Sequence, residues 1–167
     1  MELFKASRQW ATRPFDESFQ SVAELNDVCQ GYKAQAAEAI TSYDKVALRV
    51  DDDKEPVLIG ESGDKARFTH WSFGQLCARV GAPADYLRKL PGYLAVDNLD
   101  HGIKAITRGE TEEQKKAQLM FHSNGGLLVR SFTGEHYARI WNADISQRLL
   151  ELQVQNPIWQ PAPAASD

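Results

Sequence analysis

The stretch of residues 69–91 constrains the fold of this chain more than any other part of the sequence. Ser72 can act as the N-cap of a first helix, and Gly81 suits the left-handed backbone position that closes a helix. Pro83 lies where a second helix would begin, because its fixed φ angle fits a first helical turn, and that helix would run to Leu90. The sequence therefore predicts two short helices joined by a tight glycine turn, which is the skeleton of a helix-turn-helix corner.

This corner has two interpretations. In a DNA-reading helix-turn-helix, the second helix would present four residues to a major groove, namely Ala84, Asp85, Arg88 and Lys89. Phosphate would repel Asp85, however, and an alanine offers little to a base edge. An αα-corner that only packs on a sheet needs no such contacts, and it is the interpretation that the residues favour.

Hydrophobic periodicity predicts the other elements. Alternation with period two predicts a three-strand meander, and Asn-Gly between two apolar runs predicts a separate hairpin. Patterns with a period near 3.6 predict three further helices. The predicted elements are a helix from Ser21 to about Ala39, strands at 46–50, 57–60 and 66–69, a helix after Pro91 that ends at Gly109, strands at 119–121 and 127–129, and a final helix capped by Thr133 that runs to about Gln153.

These elements predict an α+β fold. The meander and the hairpin would form an antiparallel sheet of about five strands, with helices packed on one face. The length of the chain suits one domain with a substantial core, which we place at residues 1–155. Residues 156–167 are rich in proline and alanine, and we expect a tail or the start of a linker there.

Charge and cysteine content limit the partners and the compartment. The net charge of −4 and the isoelectric point near 5.6 give no general basic field, so binding to nucleic acid would need a local basic patch. Cys29 and Cys77 imply no disulfide framework. The sequence shows neither a signal-peptide pattern nor a long apolar segment, so we expect a cytoplasmic protein without a membrane partner.

The sequence contains no catalytic or metal signature. Its four histidines, His70, His101, His122 and His136, lack metal-ligand spacing, and no nucleophile elbow, phosphate loop or dinucleotide fingerprint is present. We therefore expect no catalytic residue, metal or cofactor, and a non-enzymatic protein is favoured over an enzyme. Asn98 and His101 lie about one helical turn apart and are the candidates for a polar pocket.

Basic and aromatic residues form the stronger candidate site. If the fold gathers them on one surface, they could follow a single strand of nucleic acid through phosphate contacts and base stacking. The alternative is that the rings lie in the core and the arginines are scattered solvated charges. The candidate nucleic-acid-binding residues are Arg79, Arg88, Lys89, Arg130, Arg139 and Trp141.

Several motifs follow one another along the chain. They are Arg8-Gln-Trp10, Trp71-Ser-Phe-Gly-Gln-Leu-Cys77, the segment from Gly81 to Pro91, Asn98-Leu-Asp-His-Gly102, Arg130-Ser-Phe-Thr133 and Tyr137-Ala-Arg-Ile-Trp-Asn142. Together they resemble the phage/plasmid-like family catalogued as domain of unknown function 932, over nearly the whole chain. The resemblance implies a protein of a phage, plasmid or prophage and, since family members are generally longer, the N-terminal half of such a protein.

Two functional hypotheses follow from these residues and from the resemblance. The first is a nucleic-acid-associated protein of a mobile element, such as a single-strand-binding or recombination accessory module. The second is a protein-interaction module without catalytic activity, such as an inhibitor of a host defence complex, which the acidic net charge suits better. The partner would then be a host or phage protein. The sequence leaves the oligomeric state open.

Overall fold

A computed structural model describes residues 19–60, 62–109, 111, 115–123 and 126–158. The chain forms two compact units, a larger one of residues 35–138 and a smaller one that combines residues 1–34 with 139–167. The motif at residues 8–10, the Asn-Gly pair at 124–125 and the tail beyond residue 158 lie outside the described residues. No observation tests the domain limits, 1–155 with a tail at 156–167, which stay a prediction.

The described residues form six strands and five α-helices. In chain order the elements are α1 (Val22–Gln35), β1 (Ala37–Ser42), a 3-10 turn (Tyr43–Lys45), β2 (Ala47–Val50), β3 (Pro56–Ile59), β4 (Lys65–Phe68), α2 (His70–Arg79), α3 (Ala84–Leu87), α4 (Gly92–Gly109), β5 (Lys116–Ser123), β6 (Leu127–Gly134) and α5 (Asn142–Gln155).

The α+β class is confirmed, but the sheet differs from the predicted one. The larger unit contains one six-stranded sheet in the order β1-β5-β6-β4-β3-β2. Every neighbouring pair is antiparallel except β4 and β6, which are parallel, so the sheet is mixed. The meander β2-β3-β4 and the hairpin β5-β6 are confirmed, and the parallel contact joins them.

The sixth strand is β1, which the sequence pattern placed at the end of the first helix. That helix ends at Gln35, and Ala37–Ser42 then pairs along its whole length with β5. The alanine-rich sequence favours a helix locally, but the backbone hydrogen bonds to β5 are not local and override that propensity.

Helices α2, α3 and α4 share one hydrophobic core with the sheet. The buried side chains come from strands β2 to β6 and from all three helices. Burial of each large apolar side chain contributes about 1.5–3 kcal/mol relative to its exposure. The largest members of this core that are fully buried are Tyr43, Phe132, Leu48, Leu76, Leu87 and Leu99.

The first helix of the predicted corner begins three residues earlier than expected. Its N-cap is Thr69, whose hydroxyl accepts a hydrogen bond from the Ser72 backbone N–H at 3.2 Å, while the Ser72 hydroxyl accepts one from the Thr69 N–H at 3.0 Å. Ser72 is buried, and its hydroxyl also donates to the Val129 carbonyl oxygen at 2.5 Å. Ser72 therefore ties α2 to β6 rather than starting the helix.

The glycine turn that closes α2 is confirmed. Gly81 has a φ of +71°. The Ala82 N–H donates to the Cys77 carbonyl oxygen at 2.8 Å, and the Gly81 N–H donates to the Ala78 carbonyl oxygen at 3.2 Å. This is the Schellman pair of hydrogen bonds, in which a left-handed residue satisfies the last carbonyls of a helix.

The second helix of the corner is shorter than predicted. Pro83 is its N-cap, one residue before the first turn in which it was expected, and α3 covers only Ala84–Leu87 instead of continuing to Leu90. The Leu90 N–H donates to the Leu87 carbonyl oxygen at 3.2 Å, a bond three residues back that belongs to a tightened turn. The bend is therefore present, with a single helical turn after it.

The two helices of the smaller unit contact each other through polar groups. The Ser146 hydroxyl on α5 donates to Asn26 Oδ1 on α1 at 2.9 Å, and the Gln30 side chain donates to the Ala143 carbonyl oxygen at 3.4 Å. Both Asn26 and Ser146 are buried. Because buried polar groups without partners are costly, these bonds fix how α1 and α5 pack.

The starting points of α1 and α5 differ in how well the sequence predicted them. The start of the first helix at Ser21 is confirmed, since the Ser21 hydroxyl caps α1 by accepting a hydrogen bond from the Glu24 N–H at 3.1 Å. The prediction that Thr133 caps the last helix is wrong: Thr133 lies in β6, and α5 begins at Asn142. Strand pairing with β5 as far as Gly134 prevents an earlier start.

We expect Gly102→Ala to destabilise the larger unit. An added Cβ would lie 2.5 Å from Val80 Cβ and 3.1 Å from the Val80 carbonyl oxygen, so the backbone at the end of α2 would have to move. Overpacking of this kind costs about 1–3 kcal/mol. Gly109→Ala is the matched control, because an added Cβ there meets nothing within 4 Å. Equal free energies of unfolding in urea for the two variants would contradict the packing.

Candidate functional site

A cleft of about 410 Å³ opens in the larger unit. It lies between the tip of the β2–β3 hairpin, the end of β4, the start of α2, the turn α3 and the first turn of α4. The rings of Phe68 and Phe73 meet edge to face in its wall, with their centroids 6.2 Å apart. Leu87, Leu90 and Ala95 complete an apolar lining.

The hairpin tip forms one wall of the cleft and is held by its own backbone. The Asp51 N–H donates to the Glu55 carbonyl oxygen at 2.9 Å, and the Lys54 N–H donates to the Asp51 carbonyl oxygen at 3.0 Å. Lys54 has a φ of 65°, a left-handed conformation that L residues other than Gly, Asn and Asp rarely adopt. The Asp51 carboxylate stabilises this turn by accepting the Glu55 N–H at 2.9 Å.

Gly92 allows the hairpin tip to lie directly on the first residue of α4. An added Cβ at Gly92 would be 2.9 Å from the Lys54 carbonyl carbon and closer still to its oxygen, and 3.2 Å from Val50 Cγ1. No larger residue fits without moving the tip. This close approach brings the acidic tip to the apolar lining of the cleft.

Charge pairing organises the mouth of the cleft. Arg67 Nη2 pairs with Asp51 Oδ2 at 3.0 Å and with Asp53 Oδ2. The hydrogen bond from the Glu55 N–H and the Arg67 charge hold the pKa of Asp51 below its ordinary value of 3.8, although burial of this side chain acts in the opposite direction. The hydrogen bond to Asp53 and the Asp51 charge raise the pKa of Arg67. Among the described residues, no partner engages the Glu55 carboxylate.

Arg88 closes the other side of the cleft. Its guanidinium lies over the Phe73 ring, with Cζ 5.2 Å from the ring centroid. Nη2 donates to the His70 carbonyl oxygen at 2.8 Å, and Nη1 pairs with Asp85 Oδ1 at 3.2 Å. Arg88 therefore fixes the short helix α3 against the beginning of α2.

Three exposed aromatic residues adjoin cleft-lining residues along the chain. Trp71 is 76% exposed, Tyr86 58% and Tyr93 60%. Each is the chain neighbour of a residue that lines the cleft, since Trp71 follows His70, Tyr86 precedes Leu87 and Tyr93 follows Gly92. We call the cleft and these three rings the ring-flanked cleft.

Sequence reasoning missed these three rings. It assigned aromatic residues either to the core or to candidate sites within motifs. The position of each ring around its helix, relative to the buried positions, would have identified them. In α2 the buried positions are Ser72, Phe73, Leu76 and Cys77, and Trp71 precedes this set on a different side of the helix. A large ring outside the apolar period of its helix is a candidate for surface contacts.

The basic residues predicted for nucleic-acid binding in the larger unit are not all together. Arg88 lines the cleft, and Lys89 is exposed beside it. Arg79 lies at the opposite end of α2, about 13 Å along the helix from His70. Its Nε donates to the Tyr43 hydroxyl at 3.0 Å, which places it against the core instead of the cleft.

Arg130 occupies an irregular position in β6. Met120 pairs with Ser131 and Phe121 pairs with Val129, so Arg130 is the additional residue of a β-bulge. Its side chain is exposed and does not line the cleft. A role for Arg79 and Arg130 in nucleic-acid binding stays a prediction.

Arg139 and Trp141 belong to the smaller unit. The Arg139 guanidinium lies 5.4 Å from the centroid of the Trp141 ring, and Lys33 Nζ lies 5.7 Å from it. Lys33 also pairs with Asp144 at 2.6 Å. The half-buried Trp141 ring thus already has two cations beside it, and its contact with nucleic acid stays a prediction.

The predicted polar-pocket residues lie on α4, outside the cleft. Asn98 and His101 are exposed, and the Asn98 side chain donates to the Leu94 carbonyl oxygen of its own helix at 2.7 Å. Between them in sequence, Asp100 is half-buried, and burial raises its pKa although Lys104 acts against this. A pocket formed by Asn98 and His101 stays a prediction.

Metal and thiol chemistry have little support in the described residues. In that part of the chain, no group of three or more His, Cys, Asp or Glu side chains could hold a metal ion. Burial raises the pKa of the Cys77 thiol to about 11, so the thiolate is scarce at neutral pH.

No helix among the described residues has the length and apolar character needed to cross a bilayer.

No protein-family model, curated protein or solved structure matches this chain. The resemblance to the phage/plasmid-like family of domain of unknown function 932 therefore stays a prediction. Any function must be argued from the geometry of the ring-flanked cleft.

We expect the contribution of Asp51 to stability to depend on pH. Because its folded-state pKa lies below 3.8, this contribution is fully present above pH 3.8 and is lost as the pH falls through the folded-state value. Asp51→Asn should lower the free energy of unfolding at neutral pH, and its deficit should shrink in acid. Urea unfolding at several pH values measures this, with Asp52→Asn at the same tip as the control. A deficit that stays constant with pH would contradict it.

Proposed function

We propose that this protein binds single-stranded nucleic acid through the ring-flanked cleft. The observation that carries the proposal is the exposure of Trp71, Tyr86 and Tyr93, each next in the chain to a residue that lines a cleft with an apolar wall and with Arg88. Exposed rings are platforms on which unpaired bases stack, and each stacked base is worth about 1–3 kcal/mol. Lys89, next to Arg88, is available for phosphate.

Stacking, more than phosphate attraction, would supply the affinity. The ionised side chains that line the cleft are Asp53, Glu55, Arg67 and Arg88, so their charges cancel. The net charge of the chain is −4. We therefore expect a weak dependence of affinity on salt, in contrast to proteins that neutralise many phosphates.

The biological setting of this proposal comes from the family resemblance. It is that of a cytoplasmic protein of a phage, plasmid or prophage, acting as a single-strand-binding or recombination accessory module. Such roles require contact with unpaired bases, which the exposed rings favour, and they do not require a recognition helix longer than the single turn of α3.

A second candidate is a protein-interaction module, such as an inhibitor of a host defence complex. The observation that favours it is the composition of the same surface, since Trp, Tyr and Arg are the residues enriched at energetic hot spots of protein interfaces. The acidic net charge suits a protein partner better than a polyanion. A pull-down from host lysate that enriches one protein, and loses it with Trp71→Ala, would support this candidate.

We expect Trp71→Ala and Tyr86→Ala each to weaken binding to a labelled oligothymidylate of about twelve nucleotides by roughly 5- to 150-fold, the equivalent of one lost stacking contact. Fluorescence anisotropy at two salt concentrations measures this. Both side chains are exposed, so their loss should leave folding intact. Tyr137→Ala, an exposed ring elsewhere in the larger unit, should bind as the wild type does.

Two results would remove the proposal. One is the absence of binding to single strands even at low salt. The other is an equal loss of affinity in Tyr137→Ala, which would show that the effect does not belong to the ring-flanked cleft. A duplex of the same length should bind more weakly, because its bases are already stacked on each other.

Among the basic residues, we expect Lys89→Ala to weaken oligonucleotide binding and to reduce the salt slope by up to about one unit, the effect of one lost phosphate contact. Arg130→Ala, outside the cleft, should change neither quantity. Anisotropy titrations over a series of salt concentrations distinguish the two. A larger effect of Arg130 than of Lys89 would move the interface away from the ring-flanked cleft.

A further inference from the structure

We propose that two copies of this chain associate through the outer edge of strand β1, so that their sheets join into one continuous sheet. The interface is separate from the ring-flanked cleft and does not depend on the function proposed for it. The proposal is carried by the place of Ala37–Ser42 in the sheet, at the end of the strand order and beside β5 alone among the described strands.

A hydrogen bond at the end of β1 shows which of its backbone groups point outward. The Tyr43 N–H donates to the Lys115 carbonyl oxygen at 2.8 Å. These two residues lie directly opposite each other in the register that pairs Ser42 with Lys116. Because backbone groups alternate in direction along a strand, every second residue back from Tyr43 bonds to β5, and the others direct their N–H and C=O groups away from it. The outward residues of β1 are Glu38, Ile40 and Ser42.

The strand at the other end of the sheet, β2, has a side chain that covers its outer edge. The Asp51 N–H donates to the Glu55 carbonyl oxygen, so by the same alternation the Leu48 carbonyl points outward. Arg49 Nη1 donates to that carbonyl oxygen at 2.7 Å. Lysine, proline, other charges and bulges are the usual means of blocking an edge. Strand β1 pairs with β5 without a bulge and contains none of these residues except Glu38.

The outer edge of β1 is accessible and apolar at its centre. Residues 37–40 are exposed, and Ile40 is 59% exposed. Main-chain hydrogen bonds supply affinity when a strand is added to a sheet edge, and burial of an apolar side chain stabilises the contact further. The outer edge therefore offers both kinds of interaction to a second strand.

The sequence of β1 is complementary to itself when two antiparallel copies meet at Ile40. Each outward residue then lies opposite another outward residue, so all of their backbone groups can pair. Ile40 faces its own counterpart, which makes the central pair apolar. Glu38 faces Ser42 of the second copy, whose hydroxyl can donate to the carboxylate. No two like charges are opposed.

Neighbouring registers lack this complementarity. Two copies that meet at Ala39 place the Glu38 carboxylate opposite the apolar Ile40 side chain. Two copies that meet at Thr41 place Glu38 opposite Asp44, and like charges directly opposite each other are destabilising. Each of these registers also leaves one outward residue of β1 without a counterpart in the other β1. The register centred on Ile40 is therefore the favoured one.

The dimer would leave both ring-flanked clefts accessible. The β2–β3 hairpin forms a wall of the cleft, and β2 and β3 stand at the opposite end of the strand order from β1. Two clefts in one assembly can bind one long strand together, since linked sites act at a raised effective concentration. The association itself needs no nucleic acid and is tested without it.

Sedimentation velocity from about 1 μM to about 1 mM tests the association, because an interface of two short strands is weak. We expect a dimer whose dissociation constant rises roughly tenfold or more with Ile40→Lys, which removes the central apolar pair and opposes two positive charges. Ile140→Lys, the same change at an exposed isoleucine outside β1, is the matched control and should leave the constant unchanged. A chain that stays monomeric throughout, or equal constants for the two variants, would overturn the proposal.

Cysteine substitutions test the register. Ile40→Cys places two thiols in one opposed pair with Cα atoms about 5.5 Å apart, so oxidised glutathione should link the dimer by a disulfide. Glu38→Cys separates the two Cα atoms by about 14 Å along the strands and should give no link. Cys29 and Cys77 are buried, so the unsubstituted chain should stay unlinked as well. Any other pattern of linkage would overturn the proposed pairing.

Discussion

The close approach of the hairpin tip to α4 at Gly92 is the constraint on which the cleft depends. The Lys54 carbonyl lies where any side chain at position 92 would begin, so only glycine allows the tip to lie there. The left-handed conformation of Lys54 turns the chain back at this point, and the Asp51 carboxylate holds the turn. Two local devices, an Asx-stabilised turn and a glycine at the start of a helix, thus place an acidic loop against an apolar wall.

A second device sets the opposite side of the cleft. The Ser72 hydroxyl, hydrogen-bonded to the Val129 carbonyl oxygen, fixes the beginning of α2 on β6, the strand that runs parallel to β4. Arg88 then connects α3 to the His70 carbonyl and to the Phe73 ring. Because polar side chains bond to backbone carbonyls at both places, the geometry of the cleft mouth does not depend on apolar packing alone.

The sequence predicted what local chemistry determines. Gly81 and the helix start at Ser21 were placed correctly, and Pro83 to within one residue, because each residue type fits a particular backbone position in a helix or turn. Strand β1 was not predicted, because its alanines favour a helix and only pairing with β5 makes it a strand. The parallel contact of β4 with β6 has no local signal either, since it follows from the path of three helices between the two strands.

For the candidate site, too, residue type predicted less than the structure shows, because contacts between distant residues decide which side chains are available. Arg79, Arg88 and Trp141 were selected for charge or aromatic character, yet the structure engages Arg79 with Tyr43 and surrounds Trp141 with Arg139 and Lys33. Pairs of a cation and an aromatic ring therefore occur both in packed parts of this chain and at the cleft. The exposed fraction of a ring distinguishes a ring available for contacts from one that is not. A ring that already stacks on a cation or a core residue has one face fewer for a base, whereas most of the surface of Trp71 is exposed. Residue type alone could not have identified the ring-flanked cleft, and helical phase combined with exposure does.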